Sequence, residues 1–227
     1  FLANILSAPW TIHMKLPYKQ MSDDDVLSLP IECLQEDGVI FLWVTGRSHP
    51  RGLDCLKHWG YRCVDELSWL KTNQINATVA TGRTGHWLNH LKETCLVGIK
   101  GNPTLSEKID FNSLAETIRE TSHKPDGLYG IIERMVGQGA RKLELFGRQH
   151  NMRHGWTTIG NDLPGVHLVE PGLIDSFQRY TSYMKRTGAM YGPGSARALA
   201  LTLPPKRRGG LHMTGGPWNT QPGFVNN

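Results

Sequence analysis

Cysteine is scarce in this sequence. Cys33, Cys55, Cys63 and Cys95 are the only four among 227 residues, and none stands in a Cys-x-x-Cys spacing. A disulfide scaffold is therefore not expected, and a reducing compartment is. Ten histidines are present, but no His-Glu-x-x-His run or paired Cys/His spacing accompanies them, so no metal is expected. No apolar run approaches the ~18 residues needed to span a bilayer, so no membrane association is expected. Neither sign of charge dominates: a net +5 and a pI near 9.1 permit a polyanionic partner without demanding one. Phe1-Leu-Ala-Asn-Ile-Leu6 is too short for a signal peptide and lacks a basic flank. It reads as a strand entered midway, and the absence of an initiator Met suggests a fragment of a longer protein.

At this length one domain with a full core is the default. Val39-Ile-Phe-Leu-Trp-Val44 is a continuous apolar run between Asp37-Gly38 and Thr45-Gly46, the pattern of a buried strand. Leu53, Leu56 and Trp59 recur at helical spacing before Gly60, which predicts a helix from residue 49 and its stop. Residues 61–71 and 93–100 predict strands. Lys124-Pro125-Asp126 opens a helix with Pro125 in its first turn and Leu128, Ile131, Ile132 and Met135 on one face. Residues 142–146 predict the next strand. Strands alternating with helices indicate an α/β domain with a mostly parallel sheet. From about residue 180 the chain turns to Gly, Pro and basic residues without periodicity. Residues 171–227 are therefore read as an extension, largely disordered from about 180. Lys206-Arg207-Arg208 within it reads as a solvated patch or a weak nuclear-import or RNA-backbone element.

One stretch fits no simple period: Thr81-Gly-Arg-Thr-Gly-His-Trp-Leu-Asn-His90, between two predicted strands. Polar groups gathered this way on a sheet-mounted loop are a binding-loop pattern. Around it stand Ser7-Ala-Pro-Trp10, Leu16-Pro-Tyr18, Met21-Ser-Asp-Asp24, Phe41-Leu-Trp-Val-Thr-Gly-Arg47, Lys71-Thr-Asn-Gln74, Gly98-Ile-Lys-Gly-Asn-Pro103, Thr121-Ser-His-Lys-Pro-Asp126, Lys142-Leu-Glu-Leu-Phe-Gly-Arg148, His150-Asn151, Gly155-Trp156 and Gly160-Asn161. In this order, over residues 1–170, they resemble the catalytic subunits of mRNA N6-adenosine methyltransferases, the MTA-type enzymes of eukaryotes. The resemblance implies a Rossmann-like methyltransferase fold, S-adenosylmethionine as donor and adenosine N6 in RNA as acceptor. It also implies a heterodimer with a catalytically silent paralogue, and residence in the nucleus. The family's hallmark tetrapeptide is Asp-Pro-Pro-Trp; here Ser7, Ala8, Pro9 and Trp10 stand in its place. The strand that precedes the tetrapeptide is expected to be missing from this chain.

Adenine N6 is a poor nucleophile because its lone pair is delocalised into the ring. An acceptor on each N6 hydrogen localises it, as preorganised electrostatics. By resemblance those acceptors are the Ser7 hydroxyl and the Ala8 carbonyl. A neutral acceptor is roughly half as strong as a charged one, so activity lower by about 10²–10³ is expected. Trp10 reads either as a wall of the base pocket or as a core residue beneath it. Tyr18 resembles the family's gate over the acceptor base. For the donor, the resemblance assigns Lys124, Glu144, Phe146, Arg148, His150, Asn151, Asn161 and Asp162, the last standing where most relatives carry Gln. A cation at Lys124 suits the methionyl carboxylate, and Glu144 with Arg148 and Asn151 near a strand end suits a ribose diol. Charge alone would instead pair Glu144 with Arg148 on the surface. Arg83, His86, Trp87 and His90 are assigned to RNA or the partner subunit, with Arg83 on a phosphate. Ser7 is also compatible with a non-catalytic RNA- or partner-binding scaffold, and the sequence does not separate RNA from DNA as acceptor.

Overall fold

The computed structural model describes residues 1–12, 16, 18–73, 88, 90–106, 110–120, 123–161 and 163, isolated positions between 166 and 182, and 223–225. Seven strands form the central sheet: β1 (Ala3–Leu6), β2 (Gly38–Val44), β3 (Arg62–Thr72), β4 (Lys92–Lys100), β5 (Ser113–Thr117), β6 (Lys142–Leu145) and β7 (Trp156–Ile159). Their order across the sheet is β5-β3-β4-β2-β1-β6-β7. Pairings β1–β2, β1–β6, β3–β5 and β6–β7 are parallel, whereas β4 runs antiparallel to both β2 and β3. The sheet is thus mixed α/β and mostly parallel, as a Rossmann-like methyltransferase requires. A strand does precede the tetrapeptide: Ala3–Leu6 lies between β2 and β6 and is fully buried, so the element expected to be missing is present at the centre of the sheet.

Alternating side chains send the core to both faces. On one face Ile5, Phe41, Trp43, Leu67, Trp69 and Val97 pack against α3 (Gly127–Val136), which contributes Leu128, Tyr129, Ile131 and Ile132. On the other, Leu6, Ile40, Leu42 and Leu96 meet Cys55 and Leu56 of α2 (His49–His58), its C-cap Trp59, and Val26 of α1 (Asp23–Leu27). The helix expected from residue 124 starts later. Gly127 is its first residue and Asp126 its N-cap, so Pro125 lies before the first turn. The short α1 has a capping box, with Ser22 Oγ accepting from Asp25 N–H and Asp25 Oδ2 accepting from Ser22 N–H. Beyond the sheet, β8 (Val166–Leu168) pairs antiparallel with β9 (Gly223–Val225).

Candidate functional site

Parallel strands aim their carboxyl ends at one edge of the sheet, the edge where open α/β folds bind ligands. Register decides what meets there. Ile5 is level with Glu144 and Leu6 with Leu145, so Ser7 and Phe146 leave the sheet side by side. Ser7 N–H still donates to Leu145 O at 3.3 Å. Trp10 N–H then turns back to Ala8 O at 2.9 Å, closing a three-residue turn around Pro9. A carbonyl has two acceptor positions, so Ala8 keeps one for another donor. Of the two readings of Trp10, the structure shows the core one: it is buried, and its indole donates to Trp43 O at 2.8 Å.

After the tetrapeptide, residues 11 and 12 are tied to residues 20 and 21. Met21 N–H donates to Pro9 O at 2.9 Å, Thr11 Oγ1 to Met21 O at 2.7 Å, and Ile12 N–H to Gln20 Oε1 at 3.3 Å. Arg47, just past the end of β2, adds a clamp. Its guanidinium donates to Thr11 O at 3.1 Å and to both Asp23 carboxylate oxygens at 3.2 and 2.8 Å. Tyr18 is half-buried.

The β6 side of this edge carries a different chemistry. Glu144 is almost fully buried, and Tyr129 Oη donates to its Oε2 at 2.8 Å. It is not the surface partner of Arg148 that charge alone would suggest, because β6 turns this side chain inward against α3. Asn151 Nδ2 donates to the same Tyr129 oxygen at 2.8 Å, while Asn151 Oδ1 accepts from Arg148 N–H at 2.8 Å. Phe146 has φ 62°, a left-handed conformation unusual for a non-glycine residue. Strain of that kind gathers at functional sites. Beside it Gly147 and Gly160 touch: a Cβ on Gly160 would lie 1.9 Å from Gly147 O. Only a residue without a side chain allows this approach of the β6 and β7 exits. His150 is exposed and its ring lies 3.7 Å from that of His123. Asn161 is exposed just after β7.

Lys124 enters from the same edge. Its Nζ is 2.5 Å from Glu93 Oε2, and Lys71 Nζ is 2.8 Å from Glu93 Oε1. Lys124 also lies over the Trp43 ring and Lys71 over that of Trp69, at 5.3 and 5.2 Å from their centroids. Among the described residues, Trp43 Nε1 is buried in that wall without a hydrogen-bond partner. Sequence reasoning found Lys124 but missed Lys71, Glu93, Tyr129 and Arg47. His90 lies against Gly46, at the end of β2: a Cβ on Gly46 would be 3.6 Å from its ring. Arg83, His86, Trp87 and Asp162 lie outside the described residues. No group of three or more metal-ligating side chains occurs among the described residues.

The two buried carboxylates titrate in opposite directions. Burial pushes Glu144 up to about 7, against the pull of Tyr129 and Arg153. Burial would raise Glu93 too, but Lys124 and Lys71 outweigh it and hold the carboxyl at about 2. The linkage follows from proton counting. Between about 4.5 and about 7 the folded chain holds a proton on Glu144 that the unfolded chain has lost, so this residue's contribution falls as pH rises. Glu93 contributes stability above about 4.5 and loses it as pH falls through about 2. One carboxylate is satisfied as it stands, whereas the other is ionised near neutrality at a cost of roughly 3 kcal/mol.

A sequence model of the MT-A70 family matches residues 2–162. The chain is 54% identical over 203 residues to the Drosophila melanogaster protein named N(6)-adenosine-methyltransferase MT-A70-like protein, covering 88% of this chain and 32% of that one. It is 52% identical over 182 residues to the human N(6)-adenosine-methyltransferase catalytic subunit METTL3, covering 79% and 31%. To the Danio rerio N(6)-adenosine-methyltransferase non-catalytic subunit METTL14 it is 34% identical over 173 residues, covering 71% and 38%. The chain thus spans about a third of the length of these relatives.

Proposed function

The chain belongs to the MT-A70 family, and from that membership we propose that it is the methyl-transferring domain of an RNA adenosine N6-methyltransferase using S-adenosylmethionine. The observation that carries the reading is the register of β1 with β6. It sets the tetrapeptide turn and the Phe146–Asn151 segment side by side at the carboxyl edge. A donor and an acceptor held on adjacent strands can meet in line without a covalent intermediate.

The residues present fit such a donor. Glu144 offers a ribose diol an ionised acceptor, and Lys124 offers the methionyl carboxylate a cation. Trp43 Nε1, which has no hydrogen-bond partner among the described residues, is a spare donor in the same wall. The donor's sulfonium supplies an already activated methyl group. What the chain adds is orientation and electrostatics. The Ser7 hydroxyl and the Ala8 carbonyl would accept hydrogen bonds from the two N6–H groups and so localise the nitrogen lone pair. Trp10 holds the tetrapeptide turn from below through Trp43 O, and Tyr18 covers the base. Arg83, His86, Trp87 and His90 serve RNA or a paralogous non-catalytic subunit, a partner suggested by the likeness to the METTL14 protein.

Methyl transfer from labelled S-adenosylmethionine to matched RNA and DNA oligonucleotides, by the chain co-expressed with such a subunit, tests the proposal. Label retained on RNA adenosine N6 is the expected result. Transfer to DNA alone would move the acceptor class. RNA binding with no transfer, even from the Ser7→Asp variant, would make the chain a scaffold.

A further inference from the structure

Two of the residues assigned to the donor, Glu144 and Asn151, share one hydrogen-bond partner that no sequence motif singles out. We propose that Tyr129 is a positioning residue for the methyl-donor site, its phenol locking Glu144 and Asn151 into one geometry. The inference rests on the donor-site reading above.

The directions of the hydrogen bonds are forced. Arg148 N–H can only donate, so the Asn151 atom facing it at 2.8 Å is the amide oxygen. That turns Asn151 Nδ2, also only a donor, toward Tyr129 Oη at 2.8 Å. Tyr129 must therefore accept from Asn151, which leaves its single O–H for Glu144 Oε2, 2.8 Å away. One directed chain runs from the Arg148 backbone through Asn151 and Tyr129 to the Glu144 carboxylate. Such chains strengthen along their length inside a protein. It fixes which Glu144 oxygen is used and leaves Oε1 for a ligand hydroxyl.

The ring itself is held on both sides. Trp156 meets its edge at 5.0 Å between centroids, and the Arg153 guanidinium lies 3.4 Å from its centroid. Trp156 is tied in turn to Glu133 by its indole N–H at 2.8 Å. A phenylalanine would fill this space equally well. A buried hydroxyl is placed here for its hydrogen bonds, because burying one without partners is costly. The charged groups facing Glu144 are Arg153, which favours its ionisation, and Asp126 at the start of α3, which opposes it. Asp126 is itself paired with Arg119 and Arg153. Tyr129 is the one group that bonds Glu144 directly among the described residues, and that bond pulls its titration down.

The test is calorimetric binding of S-adenosylhomocysteine by the full chain across pH. In the wild type, affinity rises with pH through the Glu144 titration near about 7. Tyr129→Phe keeps the ring contacts but removes the partner of Asn151 Nδ2 and Glu144 Oε2, so it folds with a melting temperature lowered by a few degrees. It is expected to bind about tenfold more weakly at neutral pH and to move the binding midpoint up by about one pH unit. In a Glu144→Gln background, the added Tyr129→Phe change leaves the pH dependence unaltered. Wild-type affinity and midpoint in Tyr129→Phe would overturn the proposal and leave the donor-site reading standing. Weaker binding with an unmoved midpoint, or a pH effect that survives Glu144→Gln, would also overturn it. A wild type that binds no analogue would remove the donor site, and this inference with it.

Discussion

Ser7→Asp is expected to raise methyl transfer at least about tenfold, and by as much as about 10²–10³, because it restores a charged acceptor for N6–H. The backbone is already placed for it. Ser7 follows the buried strand Ala3–Leu6, and its N–H stays tied to Leu145 O. The substitution therefore changes the acceptor without rebuilding the turn. Its effect should lie in kcat, since the contact strengthens as charge develops in the transition state. Affinity for the donor should not change, because the proposed donor contacts come from β6, the segment after it and Lys124. Single-turnover kinetics separate the two. No gain in rate with donor binding intact would refute the carboxylate argument for this protein.

Glu93→Ala is expected to destabilise the fold at this edge. It strands Lys71 and Lys124, both mostly buried, facing one another with no counter-charge. Breaking a buried pair from one side typically costs several kcal/mol; the partial solvent contact here argues for about 2 kcal/mol. Adding Lys71→Met should recover part of that loss, because one of the two stranded charges is removed. Denaturant midpoints read both effects. A Glu93→Ala variant within about 0.5 kcal/mol of the wild type would show that the triad is solvated and contributes nothing.

The parts of this fold legible in the sequence are those with a strong local period. The apolar run at 39–44 is β2, and the Leu53, Leu56, Trp59 spacing is α2. The strands missed are short or at the margins. β5 has only Leu114 and Ala115 as apolar residues and an alternating exposed edge; β7 is four residues with two threonines. The site divides the same way. Motif residues such as Glu144 and Asn151 stand out in sequence because they cluster. Tyr129 does not, since an aromatic on the apolar face of a helix looks like core, and it is core as well. Lys71, Glu93 and Arg47 meet their partners only through sheet order and loop closure, which residue spacing does not encode. Charge alone misjudged Glu144 because it gives no burial. The short helix at Asp23–Leu27 went unread in the sequence, although Ser22 and Asp25 form its capping box, and so did Arg47 reaching it.

The central claim, a methyl-donor site at the carboxyl edge of β6 separate from the acceptor turn, is tested most directly by titrating S-adenosylhomocysteine into four forms of the chain. The wild type and Ser7→Asp should bind equally. Lys124→Ala and Asn151→Ala should each weaken binding by about tenfold or more, as loss of a charge-assisted or orienting hydrogen bond does. Equal affinity in all four would contradict the account by removing both residues from the site.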